Sequence, residues 1–185
     1  MSTTAANPAS VSTWNVDPVH SHAEFKVKHM MISNVKGNFS GLAGQLALHD
    51  SDHSLTRIDA SVDVSTLSTG DAQRDGHLKS AEFFDAGNFP KMTFVSTRVE
   101  RKADGDYAVS GDLTVHGVTK PTTFAVTDVS EPAKDPWGNM RIGVAATTKI
   151  NRKDFGLTWN AALETGGVLV GEEIAISLEV QFIRA

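Results

Sequence analysis

The sequence is as informative for what it omits as for what it contains. There is no cysteine among its 185 residues, which excludes disulfide staples, thiolate metal sites and thiol nucleophiles and leaves the redox compartment undetermined. No apolar run approaches the ~18 residues of a spanning helix, so the chain is not expected to cross a membrane. The 17 Lys and Arg are scattered and outnumbered by 22 Asp and Glu, and the net charge of -5 offers no basic footprint for nucleic acid. Gly-x-Ser-x-Gly, the phosphate loop, the dinucleotide glycine fingerprint and His-Glu-x-x-His are all missing, which argues against an enzyme. Residues 1–12 lack the basic and apolar regions of a secretory leader, so a cytoplasmic location is expected, or a periplasmic one if a leader was removed.

What is present is a strict period of two. Ala23, Phe25 and Val27 share one parity; so do Ile58, Ala60, Val62 and Val64, then Val109, Gly111, Leu113 and Val115, then Met140, Ile142, Val144 and Ala146, then Ile174, Ile176, Leu178, Val180 and Phe182. Such alternation marks half-buried strands, and so many inward faces must either pack two sheets together or close a barrel. Nine strands are predicted, at 14–16, 21–29, 35–48, 57–67, 91–101, 107–115, 118–129, 139–150 and 168–183. The parity slips between Phe39 and Gly44, which predicts a bulge or bend at Gly41. Residues 1–13 are small and polar and read as a flexible tail, leaving 14–185 as one domain.

One segment, 69–84, reads as helical, with Asp71 positioned to cap it and Leu78, Ala81 and Phe84 at helical spacing. Its place between strands predicts a lid or plug at one end. Around it Asp63, Asp71, Asp75, Glu82 and Asp85, with His77, could serve acid–base work or simply cap and solvate the helix. His20 and His22, two apart, could share a metal ion on one strand face; with no third ligand at recognisable spacing, a structural role bonded to backbone groups is the favoured reading. Arg152, in Asn151-Arg152-Lys153-Asp154-Phe155-Gly156, could bind an anionic head group or pair with a neighbouring Asp.

The chain resembles the YceI-like polyisoprenoid-binding proteins. The resemblance is carried by Trp14-x-Val16-Asp17-x-x-His20-Ser21, Phe25-x-Val27-x-His29, Val35-x-Gly37-x-Phe39, His77-Leu78-x-Ser80-x-x-Phe83-Phe84-Asp85 and Phe89-Pro90-x-Met92-Thr93-Phe94. It continues through Gly111-Asp112-Leu113-Thr114-Val115-His116-Gly117-Val118-Thr119-Lys120-Pro121 and Ile150-Asn151-Arg152-x-Asp154-Phe155-Gly156, in order, from about Trp14 to Phe182. It implies an all-β, elongated antiparallel lipocalin-like barrel of about eight strands with a short helical insert, holding a long polyisoprenoid or similar amphiphile, often as a homodimer.

On that reading a lipid tail of isoprenoid-quinone or prenyl-phosphate type fills the barrel, for storage or transport, with no metal and no required cofactor. The inward parity nominates Phe25, Val27, Phe39, Leu46, Val62, Phe94, Leu113, Phe124, Ile142, Ile176 and Leu178 as ligand-binding, because the opposite parity carries Lys26, Lys28, Asp59, Asp63, Asp112, Glu173 and Glu179. Phe83 and Phe84 join them from the insert, and Arg152 from the mouth. Two alternatives stand beside it: a small enzyme acting on a lipid or quinone through His77 with Asp75 or Arg152, and a metal-binding module built on His20 and His22.

Overall fold

The computed structural model describes residues 10–49 and 51–185; residues 1–9 of the expected tail lie outside the described residues. Strands β1 Val11–Val16, β2 His22–His29, β3 Ser33–Phe39, β4 Leu42–His49 and β5 Arg57–Asp63 come first. A single α-helix, α1 Ala72–Lys79, is followed by β6 Lys91–Arg101, β7 Tyr107–Val115, β8 Val118–Thr127, β9 Ala133–Lys134, β10 Met140–Asn151 and β11 Val170–Arg184. β1 opens at Val11, inside the segment expected to be tail, because its rungs continue to Val11↔His49 and Trp14 Nε1 donates to the buried Ser12 Oγ (2.9 Å).

The strands close into an eight-stranded antiparallel barrel, β1–β4–β5–β6–β7–β8–β10–β11, sealed where β11 meets β1 on one side and β10 on the other. β11 is shared: Phe182–Arg184 pair with β1, while Val170–Glu179 pair with β2 along the same edge. β1 and β2 are therefore one interrupted strand. At the break, Ser21 takes over the ladder, since its Oγ accepts from Gln181 N (3.0 Å) and donates to Gln181 O (3.3 Å). Ser21 is fully buried as a result.

β3 and β4 are likewise one strand bent at Ser40 and Gly41, so the parity slip marks a corner between two strands. Gly41 N–H donates to Thr66 Oγ1 (3.1 Å), and a Cβ on Gly41 would lie 2.9 Å from both Asp63 Cβ and Thr66 Cγ2, so only glycine passes this close. β5 ends at Asp63 in a 3-10 turn, Val64–Thr66, and beyond it β3 keeps only the Asn38↔Ser68 bridge.

The helix fills the resulting gap. Asp71 caps it, accepting from Arg74 N (2.8 Å), but it stops at Lys79, well short of Phe84. Ser80 Oγ donates back to His77 O (2.7 Å) while its own backbone turns extended, and Phe83 and Phe84 follow in tight turns. At the far end of the barrel Trp14, Leu46, Ile142, Val180 and Phe182 are buried in a solid core.

Candidate functional site

Below that plug the barrel is hollow. A cavity of about 570 Å³, bounded almost wholly by apolar atoms, runs from the plug towards the β2–β3 hairpin. That volume falls within the ~300–1,000 Å³ usual for small-ligand sites. Phe25 and Val27 of β2, Phe39 of β3 and Val62 of β5 form one side. Phe94, Leu113 and Phe124 of β6 to β8 form another, the Phe94 and Phe124 rings meeting edge to face at 5.1 Å. Ile176 and Leu178 of β11 complete the wall.

Leu46 and Ile142 are not at this wall. Both share the inward parity, yet they lie deeper, packed with Trp14 and Phe182 in the closed end. Residues passed over in the sequence reading also line the cavity, among them Val35, Ile150, Leu157, Trp159, Leu169 and Ile174. Ile150 and Ile174 continue the inward parity of β10 and β11 and could have been found by it; Leu157, Trp159 and Leu169 lie in irregular chain, where no period points to them.

The side gap is closed by rings. Phe39 meets Phe84 edge to face at 6.2 Å, Phe84 lies 6.4 Å from Phe83, and Phe83 lies 5.6 Å from Trp159. His77 stands edge-on to Trp159 at 4.7 Å, and its Nε2 is 2.9 Å from Glu82 Oε2. Asp75 does not face His77. It accepts from Thr69 N (2.8 Å) and Thr69 Oγ1 (2.5 Å), which holds its carboxyl below the usual carboxylate range and ties the helix to β3's flank.

Arg152 borders the cavity and is buried. Asn151 caps the short turn Arg152–Phe155 by accepting from Lys153 N (2.9 Å), and Gly156 ends it at φ 77°. The guanidinium donates to four backbone carbonyls, from Nε to Gly171 O (2.8 Å), from Nη1 to Leu157 O (2.6 Å) and Trp159 O (2.9 Å), and from Nη2 to Val170 O (3.4 Å). Among the described residues no Asp pairs with it. Burial pulls its pKa down, opposed by the charge of Glu172, and its Cζ lies 5.9 Å from the Phe83 ring centroid. Its fork thus pins the chain from 157 to 171 beside the cavity, and all its hydrogen-bond acceptors are neutral carbonyls.

Polar side chains gather at the mouth, where Lys28 and His29 of β2 stand near Asp71, Gln73, Arg74 and His77 of the helical segment. The histidines of the metal alternative are elsewhere. His20 lies in the turn before β2, its Nδ1 2.8 Å from Asp17 Oδ2, so it shares no strand face with His22. Among the described residues no three His, Asp or Glu side chains gather to hold a metal ion. The His116-Gly117 motif is a turn, with φ 51° and 72°; a Cβ on Gly117 would lie 2.5 Å from the Phe89 ring, whose centroid is 4.7 Å from that of His116. The arrangement is built to hold an apolar chain away from water, with a polar end at the mouth.

The sequence profile of the YceI-like domain matches residues 14–182. The chain belongs to the YceI-like family. A UPF0312 protein of Staphylococcus aureus (strain MSSA476) is 36% identical to this YceI-like chain over 173 residues, covering 93% of this chain and 98% of its own length. Burkholderia cenocepacia BcnA shares the fold at a TM-score of 0.78, with 22% identity and coverage of 90% of this chain and 98% of that one. A polyisoprenoid binding domain from Saccharophagus degradans superposes at a TM-score of 0.65, with 17% identity, over 95% of this YceI-like chain and all (100%) of its own.

Proposed function

We propose that the protein binds a long polyisoprenoid or similar amphiphile, of isoprenoid-quinone or prenyl-phosphate type, and stores or transports it without converting it. The tail occupies the cavity and the head group sits at the mouth. The observation that carries this reading is the 570 Å³ apolar cavity in the half of the barrel that a solid core would otherwise fill. The polyisoprenoid binding domain of Saccharophagus degradans, alike in fold, supports it. The role needs no cofactor. A carrier's role is supported by the way two of the groups nominated for catalysis are engaged, Asp75 by Thr69 and Arg152 by backbone carbonyls.

Mass spectrometry of an organic extract of the purified protein tests this, with a prenyl lipid expected at far higher level than in the extract of a control protein. Affinity should then follow tail length. Each buried methylene contributes ~0.8 kcal/mol, so an isoprene unit adds a few kcal/mol before ordering losses, whereas a head group at a wet mouth makes only screened contacts. Prenyl compounds of increasing length with one head, then one length with neutral and pyrophosphate heads, separate the two contributions. An extract no different from control, together with affinity flat in length and steep in head group, overturns the proposal.

A further inference from the structure

The β2–β3 hairpin ends in three apolar residues that the described residues leave exposed, Met31 and Ile32 most of all. Met31 and Ile32 are 61% and 79% exposed, and Met30 39%. Met30 and Met31 also stand at φ 51° and 59°, in the left-handed region that favours glycine or asparagine. Exposure and backbone strain at the same apolar pair do nothing for the stability of the barrel. The tip belongs to the mouth: Met30 N–H donates to Leu169 O (2.7 Å), next to the exposed Val168, and His29 and Leu169 border the cavity.

Behind the tip lies positive charge. Lys26 and Lys28 point outward from β2 and Lys36 from β3, with Lys26 directly opposite Lys36 on one rung. None of the three forms an ion pair among the described residues. On β11, next to β2, Glu172 and Glu173 are already paired with Lys153 and Lys149, and Glu24 lies one outward position behind Lys26. At ~3.3 Å per residue the lysines trail the tip by roughly 5–15 Å along the strands. Like charges set opposite each other and left without an ion pair leave this surface open to an anionic partner.

We infer that the hairpin docks the mouth of the barrel onto an anionic bilayer, its Met30, Met31 and Ile32 tip entering the acyl boundary while Lys26, Lys28 and Lys36 meet lipid phosphates. Stable docking takes two signals, an apolar one and a basic one, and this hairpin carries both within a few residues. A second copy meeting the same surface about a two-fold axis would set these lysines against themselves, which disfavours a dimer here. The inference rests on the tail-binding reading for its purpose, since docking opens the cavity towards the lipid phase, but its evidence is the hairpin alone.

Vesicle flotation of the whole chain tests it, with phosphatidylcholine alone and with a phosphatidylcholine–phosphatidylglycerol mixture. Binding is expected only to the mixture, falling as salt is raised. Since each lysine near an anionic surface is worth roughly fivefold in affinity, Lys26→Gln with Lys36→Gln should weaken binding about twentyfold or more. Met31→Asp with Ile32→Asp should abolish it and leave the melting temperature and the prenyl content of the extract unchanged. Equal binding to both vesicle types, binding to neither, or full binding by the tip variant overturns the inference. If the tip variant instead turns a dimer into a monomer while the wild type ignores vesicles, the tip is an interface between copies and the inference fails. Prenyl extraction and flotation read different properties, so either claim can fail without the other.

Discussion

The ring of Phe25 lies over Gly37, its partner across the β2–β3 ladder, so closely that a Cβ on Gly37 would stand 2.3 Å from Phe25 Cζ. The missing side chain is what lets the ring lie flat against the wall and leaves the cavity open beside it. Thr69 presses on the same spot, its Cγ2 3.0 Å from that Cβ position.

Gly37→Ala should therefore swing Phe25 into the cavity. The ring tip is the mobile end of a side chain bordering empty space, so stability should change by only about 1 kcal/mol or less, while the space left for a tail shrinks. Titration with prenyl compounds should show the longest tails losing most affinity, with the denaturant midpoint nearly unmoved. Unchanged affinity for long tails would place the ligand away from Phe25.

Arg152 should prove a structural residue first. Arg152→Met takes away every donor that the Leu157, Trp159 and Gly171 carbonyls share. At ~1–3 kcal/mol for each buried group left without a partner, a loss of about 2–5 kcal/mol is expected in urea unfolding. The preference between neutral and pyrophosphate heads should stay as in the wild type. Loss of that preference in a variant of near-normal stability would instead assign Arg152 to the head group.

The largest share of acid sensitivity should trace to one cluster, with Asp63 and Asp75 adding to it. Arg141 donates to Asp17 Oδ2 (2.6 Å) and Asp135 Oδ2 (2.7 Å), and His20 adds a second bond to Asp17 (2.8 Å). The Arg141 guanidinium first, with His20 beside Asp17 and the Asn139 and Trp137 N–H groups beside Asp135, holds both carboxyls well below the usual carboxylate range. A depressed folded pKa gives stability that is complete above the unfolded value of ~3.9 and is lost as pH falls below it. The melting temperature should thus be steady from neutral pH to about 5 and drop below about 4. Asp17→Asn should lower it at neutral pH and make the acid drop shallower, so that the two curves converge. Parallel curves would show that Asp17 carries none of the effect.

Parity alone separated most of the wall from solvent, because in a closed barrel each strand has only an inside and an outside, although Lys28 of the outward parity also borders the cavity. Leu178 and Phe124 came out at the cavity that way. It could not give depth along the axis, which is why Leu46 and Ile142, of the same parity, lie in the plug. Long-range backbone partners were equally illegible. Arg152 bonds to carbonyls up to 19 positions away, in irregular chain and at the start of β11, and no local pattern announces an acceptor that is part of every residue. The helix was overread because Leu78, Ala81 and Phe84 keep helical spacing past Ser80, whose hydroxyl turns back to His77 O and ends the coil. No sequence pattern marks the Met30-Met31-Ile32 tip, because it falls between the predicted strands 21–29 and 35–48, where no period singles out a residue.

β11 follows every other strand of the barrel in chain order, and it borders β1, β2 and β10. Until its 15 residues have emerged, everything made before them is a curled sheet with its apolar face open along one seam. Closure is then a late event that joins the barrel's first two strands to its last, the kind of distant pairing that makes β proteins slow to fold and exposed to aggregation meanwhile. A hydrophobic tail present at that moment would meet an unsealed groove, with no need to thread the finished mouth.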